Sequence, residues 1–522
     1  MFDGGLSEQD RIQLSLRGIS PEEAERQIAL LRGPKATRDL ARPCTLGDGI
    51  LTIPDAEMPE LVHVHQDAAR AGRVMKFVPA SGAATRMFRD LMLFREANAP
   101  LSRQEVDSRA QQGDAAATAL ARFLEEIRRF AFFDELARTL SRRGRDLDRL
   151  LAGAGVHEVL AALLDPDGMD YARMPKGLVK FHRYKSEVRT AFEEHLVEAA
   201  ALTRTADGKC RIHLTVLPEE SARFESLLER VRSRHERKRK SKFAVELSVQ
   251  KPSTDTLALD PEGNPFRDAD GNLLLRPGGH GSLLENLNQL GADIVHVKNI
   301  DNVAKEDLAV RGILWKRLLV GFLVRLQREI AEQVRRLEHG DPTQLERARE
   351  FVRHRLFLDL PEPASAGEDE ARALVSLLRR PLRVCGVVRN TGEPGGAPFR
   401  VREAGGRQSL QIVEGAEVDR GSAQQEGVFA SSTHFNPVDL VCGVRDDTGR
   451  ALDLREFVDP GAVFRSWKSF AGRELLALER PGLWNGAMSR WNTVFVEIPI
   501  ETFTPVKTVL DLLREEHQPA LE

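Results

Sequence analysis

The pattern of apolar and polar positions between residues 276 and 303 predicts a helix followed by a buried strand. Four leucines between positions 283 and 290 recur at helical spacing, and Gly291 supplies a helix stop. The apolar run 294–300 follows, and such a run is typical of a strand buried on both faces in a parallel sheet. Asp301 would then lie at the carboxyl end of a central strand, where open α/β sheets bind their ligands.

Asp301 has two interpretations. A carboxylate in this position, next to a glycine-containing loop, is well placed to hold a Mg²⁺ ion on a phosphate group. The alternative is that the side chain only caps the turn after the strand. The segment by itself leaves both interpretations open.

A strand, a loop of small residues and the start of a helix follow one another at 74–87. Such a unit forms an anion site, because backbone N–H groups converge at a helix N-terminus and the helix dipole favours negative charge. The loop residues that we expect to contact phosphate are Ser81, Gly82, Ala83 and Thr85. Arg86, at the expected helix start, would add a charged fork for phosphate oxygens. An ordinary turn between strand and helix is the alternative.

Composition narrows the classes of function. The 522 residues carry a formal net charge of −3, so overall charge gives no case for nucleic acid or a membrane as partner. The four cysteines stand far apart and are predicted to be core thiols rather than disulfides or a zinc site. The polar N-terminus does not resemble a signal peptide, and the most apolar helical run, 318–324, is too short to span a bilayer. We therefore expect a soluble, cytoplasmic protein.

The chain divides into three predicted parts. Residues 1–70 are expected to form a helical lead-in, and residues 71–345 an α/β core with a helical insertion at 98–170. This insertion is either an elaboration of the fold or a lid over a substrate. A polar segment at 361–369 separates the two halves, and residues 346–522 are expected to be β-rich, to complete the core and to end in a helix.

Two polar features have structural interpretations. His182 and His195 are predicted to be surface or capping histidines. The basic run 232–242 lacks interleaved aromatic residues and ends an amphipathic helix, so it is interpreted as a solvated helix end rather than an RNA site.

Several stretches resemble the UDP-sugar pyrophosphorylases and other sugar nucleotidyltransferases. They are the loop SGAATRM, the Pro-Lys pair at 175–176, PGGHG at 277–281, NIDN at 299–302 and Pro-Val-Lys at 505–507. The loop departs from the usual pattern, because it has one glycine where two or three are common. The whole chain is identified as a member of a bacterial family called domain of unknown function 4301, by the stretches VPASGAATRMF, QKPSTDT, RPGGHGSLLENLN and GLWNGAMSRWNTVFVE.

The resemblance implies a fold and a set of site residues. The implied fold is a mixed, mainly parallel, GT-A-like (Rossmann-like) nucleotidyltransferase sheet with helices on both faces. Lys176 and Lys507 are implied to contact phosphate. The implied nucleotide contacts are Gln250, Gly279, His280 and Gly281. Glu414 and Asn436 are implied to contact the sugar. Two segments, Trp484-Asn485-Gly486 and Trp491-Asn492-Thr493, are placed on the substrate side by resemblance alone.

The predicted reaction joins a nucleoside triphosphate to a sugar 1-phosphate, giving a nucleotide-sugar and pyrophosphate, with Mg²⁺ as cofactor at Asp301. Such a reaction needs little covalent help, so positioning and charge neutralisation dominate. Arg86 and Lys176 would hold the triphosphate, and Lys507 would neutralise charge as the new bond forms.

Two other classes of protein stay open. A GT-A-type glycosyltransferase would use a sugar nucleotide, but it normally has an Asp-x-Asp pair at the strand end, where this chain has one acid at 299–301. A nucleotide-sugar-binding protein without catalysis is the other, suggested by the glycine-poor loop. The sequence indicates neither the base nor the sugar nor the oligomeric state.

Overall fold

A mixed sheet of ten strands forms the centre of the protein. The computed structural model describes residues 6–97, 101–339, 342–360, 368–392, 395–403 and 405–519. The first residues of the predicted insertion, 98–100, and most of the predicted polar segment, 361–367, lie outside the described residues.

The described chain contains the following strands and α-helices. The strands are β1 (Asp39–Pro43), β2 (Thr45–Leu46), β3 (Gly49–Leu51), β4 (Val74–Pro79), β5 (Lys180–Arg183), β6 (Val188–Thr190), β7 (Lys209–Val216), β8 (Lys242–Val249), β9 (Ala258–Leu259), β10 (Ile294–Lys298), β11 (Leu382–Arg389), β12 (Ala397–Arg402), β13 (Gln408–Val413), β14 (His434–Phe435), β15 (Asp439–Gly443), β16 (Phe464–Phe470), β17 (Arg473–Glu479) and β18 (Asn492–Glu497). The helices are α1 (Glu8–Arg17), α2 (Pro21–Arg32), α3 (Met58–Arg70), α4 (Arg89–Glu96), α5 (Arg103–Gln111), α6 (Ala115–Glu125), α7 (Phe133–Arg142), α8 (Leu147–Ala152), α9 (Val156–Leu164), α10 (Ala191–Leu202), α11 (Ser221–Arg239), α12 (Leu284–Asn288), α13 (Val310–Glu338), α14 (Pro342–Arg355), α15 (Glu368–Leu378) and α16 (Ala423–Ala430).

The central sheet is mainly parallel, as predicted. Its order is β2-β3-β18-β11-β15-β10-β4-β7-β8, with β14 paired to β11 outside this path. Along the path only β15 runs against its neighbours, β10 and β11. Strands β4 and β10 pair directly, with Val74 beside Ile294 and Phe77 beside Val297. Because they are parallel, the loops that leave their carboxyl ends are neighbours.

Helices lie on both faces of this sheet. Successive side chains of a strand point to opposite faces, and β4 shows this alternation. Val74 packs with apolar residues of α3 and α13, whereas Met75 and Phe77 pack with Leu284 and Leu287 of α12. The predicted fold class, a mixed and mainly parallel α/β sheet covered by helices, is confirmed.

The N-terminal region differs from the predicted helical lead-in. Helices α1 and α2 form, and Ser20 caps α2 by accepting a hydrogen bond from the Glu23 N–H at 3.2 Å. Three strands follow at 39–51, of which β1 pairs with β12 while β2 and β3 extend the central sheet beside β18. These strands are two to five residues long, too short for apolar spacing to reveal them, and their partners lie far away in the sequence.

The insertion is helical, as predicted, and shares its core with the rest of the protein. Helices α5 to α9 make up most of it. Their apolar side chains form one cluster with Met87 and Phe88, just after the loop of small residues, and with Val506 and Val509 near the C-terminus. A common core of this kind favours an elaboration of the fold over a separate lid.

The predicted C-terminal helix is wrong. The segment instead forms two short 3₁₀ turns, Val509–Leu513 and Glu515–His517. The Asp511 carboxylate accepts hydrogen bonds from the N–H groups of Lys507 at 2.8 Å and Thr508 at 2.6 Å, which closes a single tight turn.

Two expectations from composition can be compared with the structure. All four cysteines are buried and unbonded, as predicted for core thiols. Within the described ranges, every helix is too short or too polar to cross a membrane.

Gly321 is expected to be essential for the contact between α3 and α13. A Cβ atom at Gly321 would lie 2.0 Å from the backbone oxygen of Leu61, so Gly321→Ala forces the helices apart. We expect the free energy of unfolding to fall by about 1–3 kcal/mol, as in overpacked cores. The matched control is Gly427→Ala in α16, where a Cβ atom meets nothing within 4 Å. There alanine should stabilise by up to about 1 kcal/mol through helix propensity. Similar values for the two variants in urea unfolding would contradict this account.

Candidate functional site

The loop after β4 lies against the segment that contains the Pro-Lys pair. The Ala84 N–H donates to the Met174 oxygen at 2.9 Å, and the Lys176 N–H donates to the Gly82 oxygen at 3.1 Å. Thr85 donates its hydroxyl hydrogen to the Ala172 oxygen at 3.1 Å, which leaves this hydroxyl as an acceptor only. The two segments are therefore held together by hydrogen bonds along their length.

The outer side of this loop is open. Gly82, Ala83, Thr85 and Arg86 are exposed, and a Cβ atom at Gly82 would meet nothing within 4 Å. Among the described residues no acid pairs with Arg86. The expected helix start is a 3₁₀ turn, Ala84–Arg86, and α4 begins at Arg89, so the predicted dipole of a long helix does not begin at Arg86. What remains is an exposed backbone turn and a guanidinium without an acidic partner.

Lys176 and Asp301 form an ion pair. The Lys176 Nζ lies 2.7 Å from the Asp301 Oδ2 and donates a second hydrogen bond to the Val506 oxygen at 2.9 Å. The side chains are 12% and 21% exposed, so the pair is largely shielded from water without being fully buried. Two residues that were predicted for different tasks, phosphate and metal, are thus direct partners.

The Pro-Val-Lys segment is attached to the end of β10. The Val506 N–H donates to the Asp301 oxygen at 3.0 Å. Asn302 accepts from the Thr504 N–H at 2.9 Å and donates to the Pro437 oxygen at 3.3 Å. Lys507 directly follows Val506 in this segment and is half-buried, with its Nζ 5.6 Å from the centroid of the Phe503 ring.

We call the 81–86 loop, Lys176, Asp301 and Lys507 the phosphate-side group. In the described part of the chain, no three His, Cys, Asp or Glu side chains converge as a metal site. Asp301 is therefore the acid that this group offers. Mg²⁺ in nucleotide sites is commonly held by one or two carboxylates together with substrate phosphates, so a single acid beside a phosphate loop fits that ion.

A buried charge network lies on the neighbouring strands and was missed from the sequence. Lys298 Nζ lies 3.6 Å from both Glu198 and Asp439, Lys316 lies 3.3 Å from Glu198, and Lys76 also pairs with Glu198. Burial would raise the pKa of Glu198, but the three ammonium groups hold it well below its usual range. The network ties β4, β10 and β15 to α10 and α13. Lysines within apolar strand sequences were its only visible signal.

The prediction that His182 and His195 are surface or capping residues is wrong. Both are fully buried. The His195 Nε2 donates to the Ile300 oxygen at 3.0 Å, next to Asp301. The His182 Nδ1 lies 3.0 Å from the Glu194 Oε1, and the His182 Nε2 lies 2.8 Å from the His517 Nδ1. Burial holds the pKa of His195 well below its usual range, so it supports the strand end as a neutral donor.

A second set of predicted residues gathers around Trp484. The His280 ring stacks on the Trp484 ring with centroids 4.2 Å apart and an interplanar angle of 18°. The Trp484 Nε1 donates to the Glu414 Oε1 at 3.2 Å. We call His280, Trp484 and Glu414 the sugar-side group. It joins a residue predicted to bind nucleotide with one predicted to bind sugar.

The glycines around His280 allow close packing against the segment at 479–482. A Cβ atom at Gly281 would lie 2.1 Å from the Pro481 oxygen, and one at Gly279 would lie 2.8 Å from a Glu479 carboxylate oxygen. Gly279 also has a φ of +74°. These glycines therefore have a packing role whether or not the loop contacts a nucleotide.

Asn436 does not have a free side chain, contrary to its predicted role as a sugar contact. It is 4% exposed, donates to the Gly386 oxygen at 2.7 Å and accepts from the Val438 N–H at 3.0 Å. Its amide braces the loop before β15. Gln250 is half-buried at the end of β8, which Asn286 connects to the glycine-histidine segment by donating to the Val249 oxygen at 2.9 Å. The base-reading role of Gln250 stays a prediction.

The Lys176–Asp301 pair is expected to show a measurable coupling. In a double-mutant cycle, Lys176→Met and Asp301→Asn should couple by about 1 kcal/mol in the free energy of unfolding, because the pair is largely shielded from water. The exposed pair Arg128–Asp148, with side chains 63% and 67% exposed, is the matched control and should couple by about 0–0.5 kcal/mol. Additive effects at 176 and 301 would show that the pair does not form in solution.

His280 is expected to stay neutral at pH 7. Burial lowers its pKa from 6.5 to about 4, and its Nδ1 accepts the Leu483 N–H at 3.0 Å. Because the fold favours the neutral ring, this contribution to stability is complete above pH 6.5 and is lost as the pH falls toward 4. An NMR titration, with His280→Gln to assign the signal, checks this. Titration near pH 6.5, as expected in the urea-unfolded chain, would contradict burial of the ring.

Comparison with solved structures finds similar proteins at low sequence identity. The UDP-N-acetylglucosamine pyrophosphorylase from Trypanosoma brucei, solved with an inhibitor, is similar at 13% identity and a TM-score of 0.46, with 97% of this chain and 79% of that one covered. A UDP-glucose pyrophosphorylase mutant from Leishmania major, solved with UDP-glucose, is similar at 12% identity and a TM-score of 0.45, with 99% of this chain and 82% of that one covered. A UDP-glucose phosphorylase from Trypanosoma brucei is similar at 13% identity and a TM-score of 0.46, with 98% of this chain and 81% of that one covered.

These TM-scores are low, so the fold rests on the strand topology above. No curated protein matches the sequence. The family described as domain of unknown function (DUF4301) matches residues 7–518, nearly the whole chain. The chain therefore belongs to this family, as its four characteristic stretches had indicated.

Proposed function

We propose that the protein is a sugar nucleotidyltransferase, which joins a nucleoside triphosphate to a sugar 1-phosphate and releases pyrophosphate. The observation that carries the proposal is the phosphate-side group. An exposed turn with Arg86, a Lys176–Asp301 pair and the Lys507 segment meet where two adjacent parallel strands end. Cations beside one metal-binding carboxylate match the charge of a magnesium triphosphate.

In the proposed reaction an oxygen of the sugar phosphate attacks the α-phosphorus, and the bond from that phosphorus to the β-phosphate oxygen breaks. Arg86 and Lys176 hold the triphosphate, and Lys507 neutralises the charge that develops. Mg²⁺, when bound at Asp301, would supply further charge neutralisation on the phosphate oxygens. Preorganised positive charge of this kind is a large term in catalysis.

The ion pair has a specific consequence for substrate binding. Without substrate, Asp301 neutralises Lys176, so neither charge is left without a partner. When Asp301 instead binds a metal, the Lys176 ammonium needs another anion, and a substrate phosphate is the group available. Metal and triphosphate should therefore bind together rather than separately.

The sugar-side group supplies a carboxylate that can accept hydrogen bonds from the sugar. Glu414 is a half-buried carboxylate that accepts a hydrogen bond from the Trp484 indole N–H through its Oε1, and it is the group that we assign to the sugar hydroxyls. Burial raises the pKa of Glu414, whereas the indole N–H opposes this and favours the carboxylate.

A product screen tests the proposal. Purified protein is incubated with Mg²⁺, each common nucleoside triphosphate and a set of sugar 1-phosphates, and products are detected by mass spectrometry. We expect one new nucleotide-sugar mass. Lys176→Met should lower the rate by about 10²–10³-fold, as for loss of one transition-state contact. The control, Lys209→Met, removes a lysine that is 59% exposed and paired with Asp207, and should leave the rate unchanged.

Other outcomes separate the competing classes. Binding of a triphosphate with no product from any pair would indicate a nucleotide-sugar-binding protein. Transfer of sugar from an added nucleotide-sugar would indicate a glycosyltransferase. Either result would contradict the proposed reaction.

A further inference from the structure

The segment 482–485 touches the glycine-histidine loop on one side and strand β13 on the other. The Leu483 N–H donates to the His280 Nδ1 at 3.0 Å. On the other side, the Asn485 Nδ2 donates to the Ile412 oxygen of β13 at 3.1 Å and to the Glu417 Oε2 at 3.0 Å. Trp484, between them, repeats this bridge with its own side chain, through the His280 ring and the Glu414 carboxylate. Three consecutive residues thus connect the same two elements.

The fit on the His280 side requires a glycine. A Cβ atom at Gly482 would lie 2.6 Å from the His280 Cε1 and 2.7 Å from the Asn485 Oδ1. A larger residue would push the imidazole off the indole ring. Close packing at Gly482 therefore helps to hold the imidazole on the indole ring, where the two ring centroids lie 4.2 Å apart.

The Trp484 backbone is held by a buried arginine. Arg383 lies on β11, is fully buried, and donates from Nη1 to the Trp484 oxygen at 2.7 Å and from Nε to the Thr493 hydroxyl at 2.8 Å. Among the described residues no carboxylate pairs with this guanidinium, and its Nη2 has no hydrogen-bond partner. Burying an unpaired charge is costly. One of the two hydrogen bonds that this buried guanidinium donates holds the Trp484 backbone in place.

We propose that Trp484 is a positioning residue that holds His280, the predicted nucleotide contact, and Glu414, the predicted sugar contact, in a fixed position relative to each other. The proposal rests on the proposed function, because that function gives His280 and Glu414 their ligands. The ring of Trp484 fixes the plane of the imidazole, and its N–H fixes one carboxylate oxygen. Nucleotide and sugar contacts are therefore set by one side chain that itself needs no contact with the reacting atoms.

Two substitutions separate the ring from the N–H group. Trp484→Phe keeps an aromatic ring for His280 but removes the donor to Glu414, whereas Trp484→Leu removes both. The matched control is Trp491→Phe. Trp491 is 3% exposed and its indole nitrogen has no hydrogen-bond partner in the described structure, so this change alters core volume without removing a hydrogen bond.

The first readout is independent of any ligand. NMR titrations follow the His280 ring and the Glu414 carboxyl in each variant. We expect Trp484→Leu to raise the His280 pKa by about one unit or more, because the ring gains water. We expect Trp484→Phe to raise the Glu414 pKa while changing His280 less. Shifts no larger than those of Trp491→Phe would overturn the proposal.

The second readout is calorimetric binding of UDP-glucose and of UDP as probes. Trp484→Phe should weaken UDP-glucose about tenfold while UDP changes less than twofold, because only the sugar contact depends on the N–H group. Equal weakening of both probes would overturn the proposed division of roles. If wild type binds neither probe, the proposed function fails for this nucleotide. The titrations then still decide whether Trp484 positions the two side chains.

Discussion

The ion pair between Lys176 and Asp301 is the contact on which the candidate site depends. It joins the end of β10 to the segment that runs along the 81–86 loop, and the second hydrogen bond of Lys176 adds the Val506 backbone. Segments that are more than 300 residues apart in the chain therefore meet at one ammonium group. An ion pair is directional and partly open to water here, so it can exchange one of its partners for a ligand where an apolar contact could not.

The rest of the fold keeps this pair in place. Parallel pairing of β4 and β10 makes the loops that follow them neighbours. The buried charge network around Glu198 connects β10 to the helices α10 and α13. The insertion contributes differently, because its core includes Met87 on the loop side and Val506 on the C-terminal side. The helical insertion is thus part of the support of the site.

Local patterns predicted what depends on neighbouring residues. The buried strand before Asp301, the cap at Ser20 and the helices of the insertion all have signals within a few positions. The short strands at 39–51, the burial of His195 and the bracing role of Asn436 were not predicted, because each is decided by partners that are distant in the sequence. The pairing within the site was hidden for the same reason. Motifs indicated Lys176 and Asp301 singly, and only the fold shows that they are partners.

Whether Lys176 and Asp301 bind phosphate and metal is tested most directly by a crystal of the protein soaked with Mn²⁺ and a non-hydrolysable nucleoside triphosphate, with anomalous scattering used to locate the metal. We expect a metal peak at the Asp301 carboxylate, with Lys176 moved from Asp301 to a phosphate oxygen and the triphosphate along the 81–86 loop. A metal and triphosphate bound elsewhere, with the Lys176–Asp301 pair intact at 2.7 Å, would contradict it.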